Sequence, residues 1–352
     1  MPATCAFHPA EVTAKRQPDF SNLLKVLRRE RPSRPTLFEF FLNEPLDRVL
    51  AGDAWLEGND TFTHFRNRMA AFRAAGYDYV TWMAAEISFP AGQRGHGKRS
   101  VSMNEGAVIH DRASFEAYPW PDPEKLDYSL LDRALKVLPD GMKIIVNGPC
   151  GVLENMMSLV GYESTCLMTY EDPELAKDIF DAIGSRLLKY YERAAVHPAV
   201  GACIANDDWG FKTQPMLAPR DMRTYVFPWH KRIAAAVHAC GKPVILHSCG
   251  NLREVMDDIV DDIRMDGKHS YEDSIQKVED AYEEYGRRIA ILGGLDLDFV
   301  CRSTPDEITQ RGRAMLQRAA TRGGYALGTG NSVPDYVPQE NYFAMLKAAL
   351  DS

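Results

Sequence analysis

The residues best suited to chemistry are His247 and Cys249, two places apart at the end of the apolar run Pro243, Val244, Ile245 and Leu246. That run reads as a buried strand, and residues i and i+2 of a strand share one face. An imidazole and a thiol pointing the same way are two zinc-type ligands held side by side. Gly250 follows at once and, lacking a side chain, lets a substrate come close. The bland alternative is a buried histidine beside a buried cysteine. A catalytic zinc usually has three protein ligands and one open position. The third is sought among Cys301, Asp207, Asp208, His269, Asp296 and Glu86, with Cys301 first by residue type and Cys150 a weaker choice. Cys5, Cys166, Cys203 and Cys240 suit packing as small apolar groups.

The elements that must position these residues alternate regularly. Strand patterns fall at 36–41, 77–83, 143–148, 202–206, 243–247, 265–270, 289–296 and 324–331, with helical stretches between them. Asp172-Pro173 and the capping box Thr304-Pro305-Asp306-Glu307 open helices, and Gly241 closes another. About eight strand-then-helix units point to an α/β chain folded as a single-domain (β/α)8 TIM barrel over 19–352, preceded by a loose lead-in at 1–18. The irregular stretch 87–127, rich in Gly and Pro, reads as an excursion over the barrel mouth, framed around Gly92 to Gly97; a solvated flap is the alternative.

In such barrels chemistry sits at the carboxyl ends of the strands. Those ends carry Glu39, Glu86, Asn147, Asp207, His247 with Cys249, His269, Asp296 and Asn331. Asp207 and Glu86 are the acid–base candidates. Glu39, Asn147, His269, Asp296 and Asn331 are the substrate-binding ones. Against this, Asp207 and Asp208 could simply form and cap the turn before Trp209-Gly210.

Composition narrows the classes. A net charge of −8 with no basic stripe argues against nucleic acid as a partner. No apolar run approaches the ~20 residues of a membrane span, and the N-terminus lacks the apolar core of a secretion signal. Seven scattered cysteines suit free thiols in a reducing cytoplasm. No G-x-G-x-x-G fingerprint, Walker loop or nucleophile elbow is present, so nucleotide, hydride and serine-hydrolase chemistry rank low.

The runs HSCGN at 247–251, GGLD at 293–296, TPDEI at 304–308 and the tail 324–346 make the chain resemble the uroporphyrinogen decarboxylase superfamily. The likeness covers most of the chain and is firmest from about 200 to 350. It implies a (β/α)8 barrel, and more narrowly the branch of cobalamin-dependent methyltransferases, whose zinc site begins H-x-C. Two departures stand out. The decarboxylases' Arg-containing M-R-Q-A-G-R-Y segment is replaced by Phe38-Glu39-Phe40-Phe41-Leu42-Asn43-Glu44, with no cation for substrate carboxylates. The methyltransferases' ligand Cys near the last strand is missing from Gly328-Thr329-Gly330-Asn331-Ser332.

The resemblance implies zinc on His247 and Cys249, with Cys301 (first by residue type) or a carboxylate substituting for the missing third ligand, and a small methylated substrate or thiol acceptor. Because no D-x-H-x-x-G motif is present, cobalamin would arrive on a partner corrinoid protein. A decarboxylase and a non-catalytic small-molecule-binding barrel remain the alternatives, and a homodimer is compatible with either.

Overall fold

In the computed structural model, residues 7–92 and 103–351 are described. Most of the glycine-rich segment expected to frame the mouth, from Gln93 onward, lies outside them. Seven parallel strands form one sheet in sequence order: β1 (Tyr79–Met83), β2 (Lys143–Asn147), β3 (Val200–Asn206), β4 (Val244–His247), β5 (Gly267–His269), β6 (Ala290–Leu292) and β7 (Tyr325–Ala326). Each is joined to the next through at least one helix, as parallel neighbours require. Apart from β5 (Gly267-Lys268-His269) the strands are mostly apolar, and their centres are buried on both faces, with Ile145, Ile204, Leu246 and Ile291 wholly inside.

The expected first strand does not form a ladder. Around 36–42 the chain makes only isolated bridges, Leu37 with Leu327 and Leu42 with Val333. On the side facing β1, side chains replace the backbone ladder. The Tyr79 hydroxyl takes the Glu39 amide at 2.6 Å and donates to the Glu39 carbonyl at 2.8 Å. The Thr81 hydroxyl donates to the Phe40 carbonyl. The sheet therefore curls until its two ends lie on either side of 36–42. The architecture is a seven-stranded, barrel-like α/β fold rather than eight regular strands.

Local signals explain most helices. Asp172 accepts from the Leu175 amide at 3.0 Å, and Pro173 opens the long helix Pro173–Ala195. Thr304 and Glu307 form the capping box of Pro305–Ala319. Pro228, which has no amide hydrogen to give, interrupts the stretch after Pro219, and a π-turn at Met222–Val226 absorbs the irregularity before Phe227–Ala239. The lead-in is more ordered than expected. Pro9–Lys15 is a helix packed against Thr61–Ala75, and Phe7 stacks on Phe343 at 4.7 Å.

Register decides what meets at the mouth. Asn206 pairs with His247, and His247 with His269. Three polar side chains thus stand side by side on adjacent strand ends.

Candidate metal centre

β4 ends at His247, so Cys249 lies on the following turn and not on the strand. Two glycines bring it back over the sheet. Gly250 has φ +86°, and a Cβ there would lie 2.0 Å from the Gly210 carbonyl oxygen. Only glycine permits that approach. The contact presses the turn after β4 against the turn after β3, and Asn251 seals it by donating to the Phe211 carbonyl at 2.7 Å. Trp209, fully buried, anchors the β3 turn and donates its amide to Ser248 Oγ at 3.1 Å.

Asp208 is carried into the site by this arrangement. Its Oδ1 accepts the Cys249 amide at 2.9 Å, which leaves Oδ2 for another partner. Asp208, His247 and Cys249 each place one ligand atom within 4.8 Å of the others. A tetrahedral zinc with bonds of ~2.0–2.3 Å needs ligand atoms roughly 3.3–3.8 Å apart. The three side chains fit with a small contraction, and Asp208 takes the place expected for Cys301.

Hydrogen bonds fix the protons. His269 Nε2 lies 3.3 Å from the Thr329 carbonyl, which can only accept, so Nε2 carries a proton. Neutral His269 then accepts on Nδ1, and His247 Nδ1, 2.8 Å away, donates. His247 Nε2 is left with a bare lone pair, the state a metal ligand needs. Burial pulls both imidazoles below their usual value, which keeps them neutral.

Behind them, Thr329 Oγ lies 2.8 Å from Glu39 and against the Asn331 carbonyl. One hydroxyl proton cannot serve both, and a protonated Glu39 resolves the conflict by donating to Thr329. Burial pushes the Glu39 carboxyl up to about 8, in agreement.

The Cys249 sulfur accepts from Asn331 Nδ2 at 3.2 Å and Ser270 Oγ at 3.4 Å. Without a cation, burial and the Asp208 charge push the thiol up to about 12. A bound divalent metal reverses that balance, since a coordinating thiol is deprotonated outright.

The triad opens on a cavity of about 1110 Å³. Its walls include Phe40, Phe41, Phe62, Trp82 and Leu130, and its floor holds Asn147, Asn206 and Glu154 beside Asp208. Burial and the charges of Asp207 and Asp208 hold the Glu154 carboxyl well above the usual range.

Residues 72–351 match the family described as uroporphyrinogen decarboxylase (URO-D). The chain belongs to the uroporphyrinogen decarboxylase family. Curated relatives named uroporphyrinogen decarboxylase include one from Chloroflexus aggregans, 28% identical over 51% of this chain and 49% of its own. Another, from Anaeromyxobacter dehalogenans, is 24% identical over 76% and 75%. The fold matches a methyltransferase from Methanosarcina mazei with a TM-score of 0.72, at 17% identity over 94% of this chain and 97% of that one.

Within this family frame the expected site residues separate into groups. Glu86, Asn147, His247, Cys249 and Asn331 line the cavity. Asn331 stands where the resemblance placed a ligand Cys, and touches the sulfur instead of supplying one. Glu39 and His269 lie beneath the floor, fully buried. Asp207 turns away, accepting the Leu153 and Glu154 amides at 3.0 and 2.9 Å and facing His230 at 2.9 Å. It caps the helix Val152–Val160, whose own N-cap, Gly151, has no side chain.

Asp296 caps the helix Leu297–Arg302 through Phe299 and also accepts from the Asp273 amide. Cys301 sits on that helix, packed against the core and outside the ligand group. Glu154 and Asn206 were not anticipated. Glu154 reads in sequence as an ordinary N3 helix residue, and Asn206 as the end of a strand.

Proposed function

We propose that the protein is a zinc-dependent methyltransferase that moves a methyl group between a small methylated substrate, or a thiol, and a corrinoid carried by a partner protein. The observation that carries this reading is the Asp208–His247–Cys249 group at the floor of a large cavity. Zinc held there would act as a Lewis acid, stabilising charge on the heteroatom that gives up or receives the methyl group.

The chain's own residues make the rest of the site. His247 presents a bare Nε2 because its proton sits on Nδ1, donated to His269, whose own Nε2–H is donated to the Thr329 carbonyl. Asp208 holds the Cys249 amide with one oxygen and brings its carboxylate within 4.8 Å of the other two ligand atoms. Asn331 and Ser270 steady the sulfur from the far side. The aromatic walls leave room for a flat, bulky cofactor face to approach the floor.

The curated relatives favour a second reading, decarboxylation of a porphyrinogen. Four acidic substrate arms would need cations, yet the floor offers Asp208 and Glu154. Of the cations lining the cavity among the described residues, Arg68 is bound to Asp47 at 3.1 Å, Lys125 pairs with Asp122 at 3.2 Å, and Arg133 lies over Phe62 at 4.0 Å.

The test is metal analysis of the purified protein, followed by methyl transfer between small methylated compounds and reduced cobalamin. About one zinc per chain, lost in His247→Ala and Cys249→Ala together with activity, is expected. Stoichiometric zinc in both variants, or turnover of uroporphyrinogen by the wild type, would overturn the reading.

A further inference from the structure

Lys268 lies behind the metal centre, on the face of β5 opposite His269, and is buried. Its Nζ donates to the Ser270 carbonyl at 2.6 Å and to the Ser248 carbonyl at 3.5 Å, with the Tyr271 ring 4.2 Å away. Neither acceptor is incidental. Ser248 is the residue between His247 and Cys249, and Ser270 follows His269 and gives its hydroxyl to the Cys249 sulfur.

Ser270 is also one of four described non-glycine residues with positive φ, at +85°. Serine keeps such a conformation only where its surroundings over-determine it. Its carbonyl is fixed by Lys268 and its hydroxyl by Cys249. The Ser248 carbonyl would otherwise have little reason to face the interior, since the Ser248 amide and hydroxyl are taken by His269 O and the Trp209 amide.

The titratable groups that act on Lys268 are Cys249, Asp208 and Glu272. Burial pulls its ammonium down to about 8. A lysine is rarely buried without such partners. An apolar side chain would fill the same space at lower desolvation cost.

We propose that Lys268 is a positioning residue of the metal centre: by tying the Ser248 and Ser270 carbonyls together it sets the direction of the Cys249 sulfur toward Asp208 and His247. The proposal rests on the metal reading above, and two different results separate its failure from failure of that reading. Supporting groups around metal ligands typically change affinity 10- to 100-fold when removed.

The experiment measures zinc affinity by competition with a chromophoric chelator, and the thiolate-to-metal charge-transfer band of the cobalt(II)-loaded protein. The proteins compared are the wild type, Lys268→Met, Lys268→Gln and Lys268→Arg, each checked for folding by circular dichroism. Lys268→Met is expected to weaken zinc at least about 10-fold and to shift or weaken the cobalt band. Lys268→Arg, which can still donate to both carbonyls, should recover most of both signals.

A folded Lys268→Met with unchanged or tighter metal and an unchanged band overturns the proposal. Should Lys268→Met not fold, Lys268→Gln is read alone, with a several-fold loss expected and wild-type behaviour overturning the proposal. A wild type that takes up no metal sinks the metal reading itself.

Discussion

Asp207 and Asp208 are neighbours in sequence with opposite surroundings. Asp207 faces away from the cavity, wholly buried, its oxygens taken by two amides of the helix Val152–Val160 and by His230. Asp208 faces the cavity, half-buried, with one oxygen on the Cys249 amide and its carboxylate within 4.8 Å of His247 and the sulfur. One residue holds a helix to the sheet and the other can hold a metal. Both lie just past β3, in the turn that follows it, where the chain sends the two side chains opposite ways. A chemical side chain at a strand end is therefore half the information; the other half is which way it faces.

Substitution can break that comparison. The largest effect is expected for Asp208→Ala, which removes a ligand. Zinc content should fall far below one per chain, and methyl transfer should drop by more than the ~100-fold typical of outer-shell changes, while urea unfolding stays cooperative. Zinc retained at full stoichiometry would return Asp208 to the role of a turn residue.

Next comes Asp207→Ala, which leaves His230 and two helix amides buried without their acceptor. Breaking a buried pair of this kind costs roughly 3–5 kcal/mol, read as a lower urea midpoint. A variant as stable as the wild type would show that Asp207 is not the clamp described. The smallest effect is expected for Cys301→Ala, with zinc content unchanged and stability altered by about 1 kcal/mol or less. Loss of zinc in that variant would restore Cys301 as a ligand and displace Asp208.

Much of this was legible in the sequence. The spacing of His247 and Cys249, the alternation of strands and helices, and the caps at Asp172 and Thr304 follow from local rules, and the structure contains them. The third member of the candidate ligand group was not legible, because residue type favoured Cys301 while three-dimensional approach brings Asp208 to His247 and Cys249. That approach depends on Gly210 and Gly250 touching across two turns, a contact between residues forty apart.

Asp296 was misleading for a simpler reason. A carboxylate after a strand and before a helix serves a cap as readily as a substrate, and here both oxygens accept backbone amides. The first strand failed because its pattern was apolar enough, yet its partners on one side are the hydroxyls of Tyr79 and Thr81 instead of a backbone ladder. No periodicity in 36–41 records that.

The hydrogen-bonded line from Glu39 through Thr329 and His269 to His247 has a consequence for the order of assembly. Glu39 and Thr329 are 290 residues apart along the chain. The tautomer that frees His247 Nε2 is set by the Thr329 carbonyl, and Glu39 holds Thr329 in place through its amide and hydroxyl, so the last unit is pinned to the first where the sheet curls round. Contacts of such long separation form late, after the loop-closure entropy has been overcome. A metal held at His247 would therefore have its complete setting only once the two ends of the chain have met.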